Sequence, residues 1–200
     1  MTFLLWHSAV LPLFALIWLF PLMIFISFTH NFASRSFLPK NLLINKLQFK
    51  LGVRMEGKKE KLENVILYVI YNLGGRLESR TKLVKLLYFI DKKAQEELKS
   101  KITGVRYIYH YYGPYSPDII NAVHELEEEG KLIEEYDPLY GMYRYYLAEN
   151  IDDENDIKLS EEERGIIDKV LKDYGGMNAK KLKERAYEYL SDKKPGDIVL

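Results

Sequence analysis

The sequence predicts an α+β domain, predominantly helical, over residues 55–200. Apolar residues recur with the 3.6-residue period of amphipathic helices in several separate runs. Residues 105–112 carry the β-branched and aromatic pattern of a strand, and residues 132–147 carry that of a β-hairpin. The predicted fold is therefore a helical bundle with a strand and a β-hairpin, and a hydrophobic N-terminal segment lies outside the domain.

Residues 1–54 differ in composition from the rest of the chain. They hold none of the 29 acidic residues and none of the 16 tyrosines, but eight of the nine phenylalanines. The apolar run 9–28 is long enough to cross a bilayer as a helix, and the basic residues after it would place the domain in the cytoplasm and the N-terminus outside. Alternatively, Met55 is the true start of a cytoplasmic protein and the preceding residues are translated non-coding sequence.

The first two helices of the domain are predicted from periodicity. Apolar residues at positions 62, 65, 66, 69, 70 and 73 define one face of a helix, which Gly74-Gly75 ends with a left-handed cap. A second helix is expected from about Ser79 to Leu98. Because its middle part is apolar around most of its circumference, we expect it at the centre of the core.

The remaining elements are predicted from their start and stop signals. Gly113-Pro114 is expected to break the strand, and Ser116-Pro117-Asp118 to begin a third helix that ends at Gly130. Residues 149–158 are interpreted as a polar acidic linker. A capping box at Ser160 and Glu163 begins the next helix, and a last helix is expected over residues 178–190.

The chain shows no recognisable catalytic motif. It has no cysteine and no phosphate-binding glycine motif, and His124-Glu125-x-x-Glu128 lacks the second histidine of a zinc-protease helix. We therefore expect a protein that is not an enzyme, with no catalytic, cofactor-binding or metal-binding residues.

The order of elements is close to that of a winged helix, so a DNA-binding transcriptional regulator, membrane-anchored if residues 9–28 cross a bilayer, is the alternative function. Its third helix would enter the major groove, but that helix carries five acids and no Lys or Arg. It would repel phosphates. Contact with a nucleic-acid backbone is left to Lys82, Lys85, Lys92 and Lys93 on the second helix or to Arg144, so nucleic acid is the less favoured partner.

Ten of the 16 tyrosines fall between residues 107 and 146. Tyrosine combines a large rigid contact area with a polar tip, which suits a protein interface. The alternative is that half of these rings complete a small core. The candidate partner-binding residues are Tyr109, Tyr112, Gly113, Pro114, Tyr115, Ser116, Tyr140 and Tyr143.

Two stretches resemble the Panacea domain, the SocA-like antitoxin family. Residues 82–91 (KLVKLLYFID) are similar to the central helix of that family, and residues 109–117 (YHYYGPYSP) to its Y-G-P-[YF]-S-P segment. The resemblance is strongest over residues 60–135. It implies an antitoxin that neutralises a partner toxin, typically encoded nearby, by direct protein–protein contact, and it implies no catalytic residues.

Overall fold

The computed structural model describes residues 38–149, 151 and 156–200. Within them lie five helices and five strands, an α+β fold. In chain order these are α1 (Leu38–Asn72), β1 (Arg76–Glu78), α2 (Arg80–Glu97), β2 (Ile108–His110), β3 (Gly113–Tyr115), α3 (Pro117–Glu128), β4 (Leu132–Asp137), β5 (Met142–Leu147), α4 (Glu161–Tyr174) and α5 (Ala179–Tyr187).

The helix α2 is the centre of the core, as its apolar circumference predicts. Ten of its 18 residues are buried. It packs against α4, α5 and the strands, and its Phe89 ring stacks on Tyr174 of α4 at 4.4 Å. Two charged side chains of α2, Lys85 and Asp91, are among the buried residues. Since burial of a charge is costly without a partner, both positions need a specific explanation.

The three-stranded antiparallel sheet has the order β1-β5-β4. The predicted β-hairpin is confirmed as β4 and β5, paired from Leu132 with Leu147 to Asp137 with Met142. The strand β1, which the sequence analysis missed, adds to the other edge of β5. Its three residues are too few for a periodic pattern, although Leu77 between two exposed neighbours is buried in the core.

The prediction that Gly113-Pro114 breaks the strand is wrong, because both residues belong to β3. The chain turns at Tyr111-Tyr112 instead, and β3 runs back along β2 with Tyr109 opposite Pro114. The N–H and C=O of Tyr109 bond to Asp197 and Gly196 of the C-terminal segment, on the side away from β3. The proline therefore stands at a pair that exchanges no hydrogen bonds, where its missing N–H costs nothing.

The last two helices begin as predicted. The Ser160 hydroxyl accepts from the Glu163 N–H, and the Glu163 carboxylate accepts from the Ser160 N–H, which completes the capping box. The Asn178 side chain caps α5 by accepting from the Lys181 N–H. The interpretation of residues 149–158 as a plain linker needs a correction, because Ile157 is buried in the core and anchors the segment before α4.

The helix α1 begins at Leu38, upstream of Met55. Within the described residues the buried core begins at Leu62, and the described side chains between 50 and 60 are exposed. The apolar run 9–28 lies outside the described residues. Of the helices in the described ranges, none has the length and apolar character needed to cross a membrane. The boundary at residue 55 stays a prediction.

Candidate partner-binding site

A cavity of about 430 Å³ lies where three elements meet: the start of α2, the β2–β3 hairpin and the turn that joins β4 to β5. Its walls hold polar, aromatic and apolar side chains. They are Ser79, Arg80, Thr81, Val84, Lys85, His110, Tyr112, Tyr115, Gly141, Met142 and Tyr143. Residues separated by up to 64 positions in sequence, from Ser79 to Tyr143, thus contribute to one site.

Lys85 lines the cavity and is hydrogen-bonded to the β2–β3 hairpin. The Lys85 side chain is buried, and its Nζ donates a hydrogen bond of 2.6 Å to the Pro114 carbonyl. Gly113 has φ +83°, and a Cβ on this residue would lie 3.5 Å from Lys85 Cε. The backbone conformation therefore strains any residue other than glycine, although a Cβ would meet Lys85 only at ordinary van der Waals distance.

Burial, together with the nearby ammonium of Lys183 on α5, lowers the pKa of Lys85 to about 7. The amine donates to the Pro114 carbonyl, and the polar residues His110, Tyr115 and Arg80 line the same cavity. Near neutral pH the amine therefore exists in both protonation states. An anion that entered the cavity would favour the protonated state.

The first turn of α2 forms another wall. Ser79 precedes the helix with φ 79°, a conformation that non-glycine residues rarely adopt, and its side chain makes no cap hydrogen bond. The N–H of Ser79 donates to the Tyr143 carbonyl at 2.8 Å, which joins α2 to β5. Arg80 lies over the Tyr143 ring at 3.7 Å and donates to Glu134 at 3.0 Å.

The structure brings together three of the predicted partner-binding residues, since Tyr112, Tyr115 and Tyr143 all line the cavity. Tyr112 is exposed, whereas Tyr115 and Tyr143 are half-buried and pack on the core. The remaining predicted residues have different environments. Tyr140 is exposed beside the cavity, Tyr109 is half-buried, and Gly113, Pro114 and Ser116 are buried.

The cations Lys85 and Arg80 were absent from the predicted site. Lys85 was expected, with three other lysines of the second helix, to be available for contact with a nucleic-acid backbone, and the structure corrects this, because Lys85 is 2% exposed. The available signal was its position inside the apolar run LVKLLYFI, where a solvated lysine would be unusual.

Large exposed apolar side chains concentrate on the two hairpins that flank the cavity. Six of the eight found in the described residues belong to them: Tyr111, Tyr112, Ile133, Tyr136, Leu139 and Tyr140. We call the four at the two turns, Tyr111, Tyr112, Leu139 and Tyr140, the aromatic rim. Tyr112 is held on one side by Lys183, whose Nζ lies 5.5 Å from the ring centre. Of the ten clustered tyrosines, Tyr107 and Tyr145 are fully buried. The cluster therefore contributes side chains both to the core and to the surface.

The second buried charge of α2 supports the hairpin from within. The Asp91 carboxylate accepts hydrogen bonds from the N–H and the hydroxyl of Thr103 and from the Tyr107 hydroxyl. These bonds attach the loop before β2 to the core helix. Burial raises the pKa of Asp91 despite these donors.

One group of metal-ligand type occurs elsewhere in the described residues. His124, Glu127 and Glu134 each place one donor atom within 4.8 Å of the others. In the sequence motif His124 stands with Glu125 and Glu128, whereas the tertiary fold brings it close to Glu127 and Glu134. Glu134 already pairs with Arg80, so this group has a structural explanation.

The fold and the site define a small α+β module whose exposed aromatic side chains surround a cavity. Residues 83–189 match the family described as "Antitoxin SocA-like, Panacea domain". This match covers more than half of the sequence, and the chain belongs to that family. The resemblance found in the sequence is confirmed.

One curated relative is the "Uncharacterized protein YwgA" of Bacillus subtilis (strain 168), which is 35% identical over 89 residues. The matched part is 44% of this chain and 50% of the relative. The chain thus spans about half the length of that relative. No solved structure matches the chain.

Proposed function

We propose that this chain is an antitoxin that neutralises a toxin, encoded nearby, by direct protein–protein contact through the aromatic rim. Membership of the antitoxin family supports the class of function. The observation that carries the assignment of the surface is the concentration of exposed tyrosine and leucine at two turns on either side of one cavity. Exposed aromatic side chains around a concave surface are typical of the residues that dominate binding energy at interfaces.

The arrangement of the rim suits a protein partner. Tyr111 and Tyr112 lie at a tight turn whose strands are short and supported by Lys85 and by the C-terminal segment. The turn with Leu139 and Tyr140 is held by the Asp137 carboxylate, which accepts from both of their N–H groups. Since both turns are fixed before binding, little conformational entropy is lost when a partner binds.

The test is co-expression with the product of the adjacent gene. We expect that product to arrest growth when expressed alone and to be harmless in the presence of this chain. The double variant Tyr112→Ala/Tyr140→Ala should lose neutralisation while it stays folded, because hot-spot aromatics contribute roughly 2–4 kcal/mol each. Circular dichroism establishes that the variant is folded, and a pull-down measures complex formation.

The matched control is Tyr189→Ala, which removes another partly exposed tyrosine. Tyr189 contacts Phe89 and Lys92 in the second half of α2, whereas the cavity lies at its first turn. The control variant should neutralise as the wild type does. A folded double variant that still neutralises would place the interface outside the rim.

The alternative function, a winged-helix DNA-binding regulator, is favoured by one observation. The order α1, β1, α2, α3, β4, β5 with the sheet order β1-β5-β4 is similar to that of a winged helix with β2 and β3 as an insertion. Charge argues against it, since the described outer face of α3 bears Asp118, Glu127 and Glu128 and no Lys or Arg. Tight, salt-sensitive binding to duplex DNA would favour the regulator.

A further inference from the structure

The described side chains that line the cavity include basic residues but no acidic ones. The basic residues are Arg80, Lys85 and His110. The charge of Arg80 is balanced by Glu134. Lys85 is different, because its Nζ bonds to the neutral carbonyl of Pro114 and no described carboxylate pairs with it. A buried amine that borders a cavity without a counter-ion can bind an anion from outside the chain.

The start of α2 adds donors of the same polarity. The first N–H groups of a helix have no partner within it and carry the positive end of the helix dipole. The Ser79 side chain leaves these groups uncapped, and Ser79, Arg80 and Thr81 all line the cavity. The strained φ of Ser79 arises where the backbone joins β5 beside the cavity.

We propose that the cavity receives an Asp or Glu side chain from an exposed segment of the partner protein, and that Lys85 forms the ion pair with its carboxylate. The identity of the partner as a protein rests on the proposed function. A volume of about 430 Å³ accommodates one or two side chains. The aromatic rim would then exclude water around the pair, which strengthens it.

A carboxylate on a protein fits this site better than a nucleic-acid phosphate. The mouth of the cavity is bordered by Tyr112 and by the turn at Tyr140, whose side chains offer apolar contact area. The helix α3, which follows β3 directly, presents acidic groups that would repel a polyanion. A peptide with a single carboxylate and apolar neighbours can contact the apolar mouth. It also carries too little negative charge to be strongly repelled by α3.

The experiment titrates Lys85 in the full chain by NMR, with ¹³C-labelled lysine and small-molecule probes. The probe is N-acetyl-glutamic acid α-amide, and its neutral isostere is N-acetyl-glutamine α-amide. Lys85→Met identifies the Lys85 resonance, which should titrate near pH 7 in the free protein. Saturation with the glutamic acid probe should raise this midpoint by roughly one pH unit, with a Kd in the millimolar range, and the glutamine probe should leave it unchanged.

Two further variants and one further probe sharpen the test. Lys82→Met removes another lysine of α2, whose Nζ donates to the Gly175 carbonyl at 2.7 Å, and should leave the titration unchanged. Lys85→Met should abolish binding of the glutamic acid probe. Binding is followed by the chemical-shift changes of the Tyr112 and His110 resonances. No effect of the glutamic acid probe would overturn the proposal, as would a larger effect of inorganic phosphate. If Lys85→Met fails to fold, the comparison of the two probes on the wild type decides.

This titration needs no toxin, so its outcome is independent of the neutralisation assay. If the titration is positive but the chain does not neutralise a toxin, the carboxylate-binding site is supported and the proposed antitoxin function is wrong. If Lys85→Met still neutralises the toxin and the titration is negative, the antitoxin function is retained. The proposed binding of a partner carboxylate by Lys85 is then wrong.

Discussion

Lys85 shows how one residue acquires a role that its type does not suggest. A lysine in the middle of a core helix would be destabilising if it remained charged, and burial beside Lys183 holds its pKa at about 7 instead of 10.5. The hydrogen bond to the Pro114 carbonyl satisfies one of its donors. The cost of burying the amine is thus reduced by partial neutralisation, and the same amine supports the β2–β3 hairpin.

This pKa predicts how stability changes with pH. Between about pH 7 and pH 10.5 the unfolded chain binds a proton at Lys85 that the folded chain lacks, so the free energy of unfolding should rise with pH in this window. The slope for a single group is at most about 1.4 kcal/mol per pH unit. Urea unfolding at pH 7, 8 and 9 should therefore show the wild type gaining stability relative to Lys85→Met. A difference between the two proteins that does not vary with pH would contradict the assignment.

Gly113 is the second residue on which the hairpin depends. Gly113→Ala should destabilise the protein by about 1–3 kcal/mol, because φ +83° is strained for an alanine. The matched control is Gly165→Ala in α4, where nothing lies within 4 Å of the new Cβ. That substitution should raise stability by up to about 1 kcal/mol. Thermal denaturation of the two variants measures both, and equal melting temperatures would show that Gly113 is not strained.

At the scale of elements, the helix starts of α3 and α4 look alike in sequence and differ in structure. Both begin with a serine at the N-cap. Ser160 makes both hydrogen bonds of a capping box, whereas Ser116 makes no cap hydrogen bond and its buried Oγ has no partner among the described residues. Pro117 removes one of the N–H groups that need a cap, so α3 depends less on its serine.

This difference predicts unequal effects of removing the two hydroxyls. Ser160→Ala should lower the free energy of unfolding by about 1 kcal/mol, since a cap is lost. Ser116→Ala should change it by less than about 0.5 kcal/mol or increase it, since an unpaired buried hydroxyl is removed. Chemical denaturation of the two single variants provides the comparison. A larger loss at Ser116 would mean that its hydroxyl is hydrogen-bonded in solution.

At the scale of the whole molecule, we predict that residues 55–200 fold without the preceding segment. Within the described residues the buried core runs from Leu62 to Leu190, and none of its described members lies upstream of Leu62. A chain truncated before Met55 should unfold cooperatively, with a near-UV circular dichroism signal like that of the full protein. Aggregation of the truncated chain, or loss of the near-UV signal, would show that the first 54 residues belong to the domain.

Local patterns in the sequence determined much of this protein. The central position of the largely apolar second helix, the left-handed glycines at Gly74-Gly75, the capping box at Ser160 and the hairpin at residues 132–147 were all predicted and confirmed. Each of these features depends on residues within a few positions of one another. The YGPYS segment also identified the family, which the match over residues 83–189 confirmed.

Tertiary structure alone decided the remaining features. The strand β1 exists because Leu77 pairs with Tyr145, 68 positions later, and three residues carry no detectable period by themselves. Pro114 belongs to a strand because the C-terminal segment takes the hydrogen bonds of Tyr109. Lys85 is buried and faces a cavity because α5 and two hairpins close around it. In each case the environment of a residue is created by partners distant in the chain, so its local sequence could not reveal it.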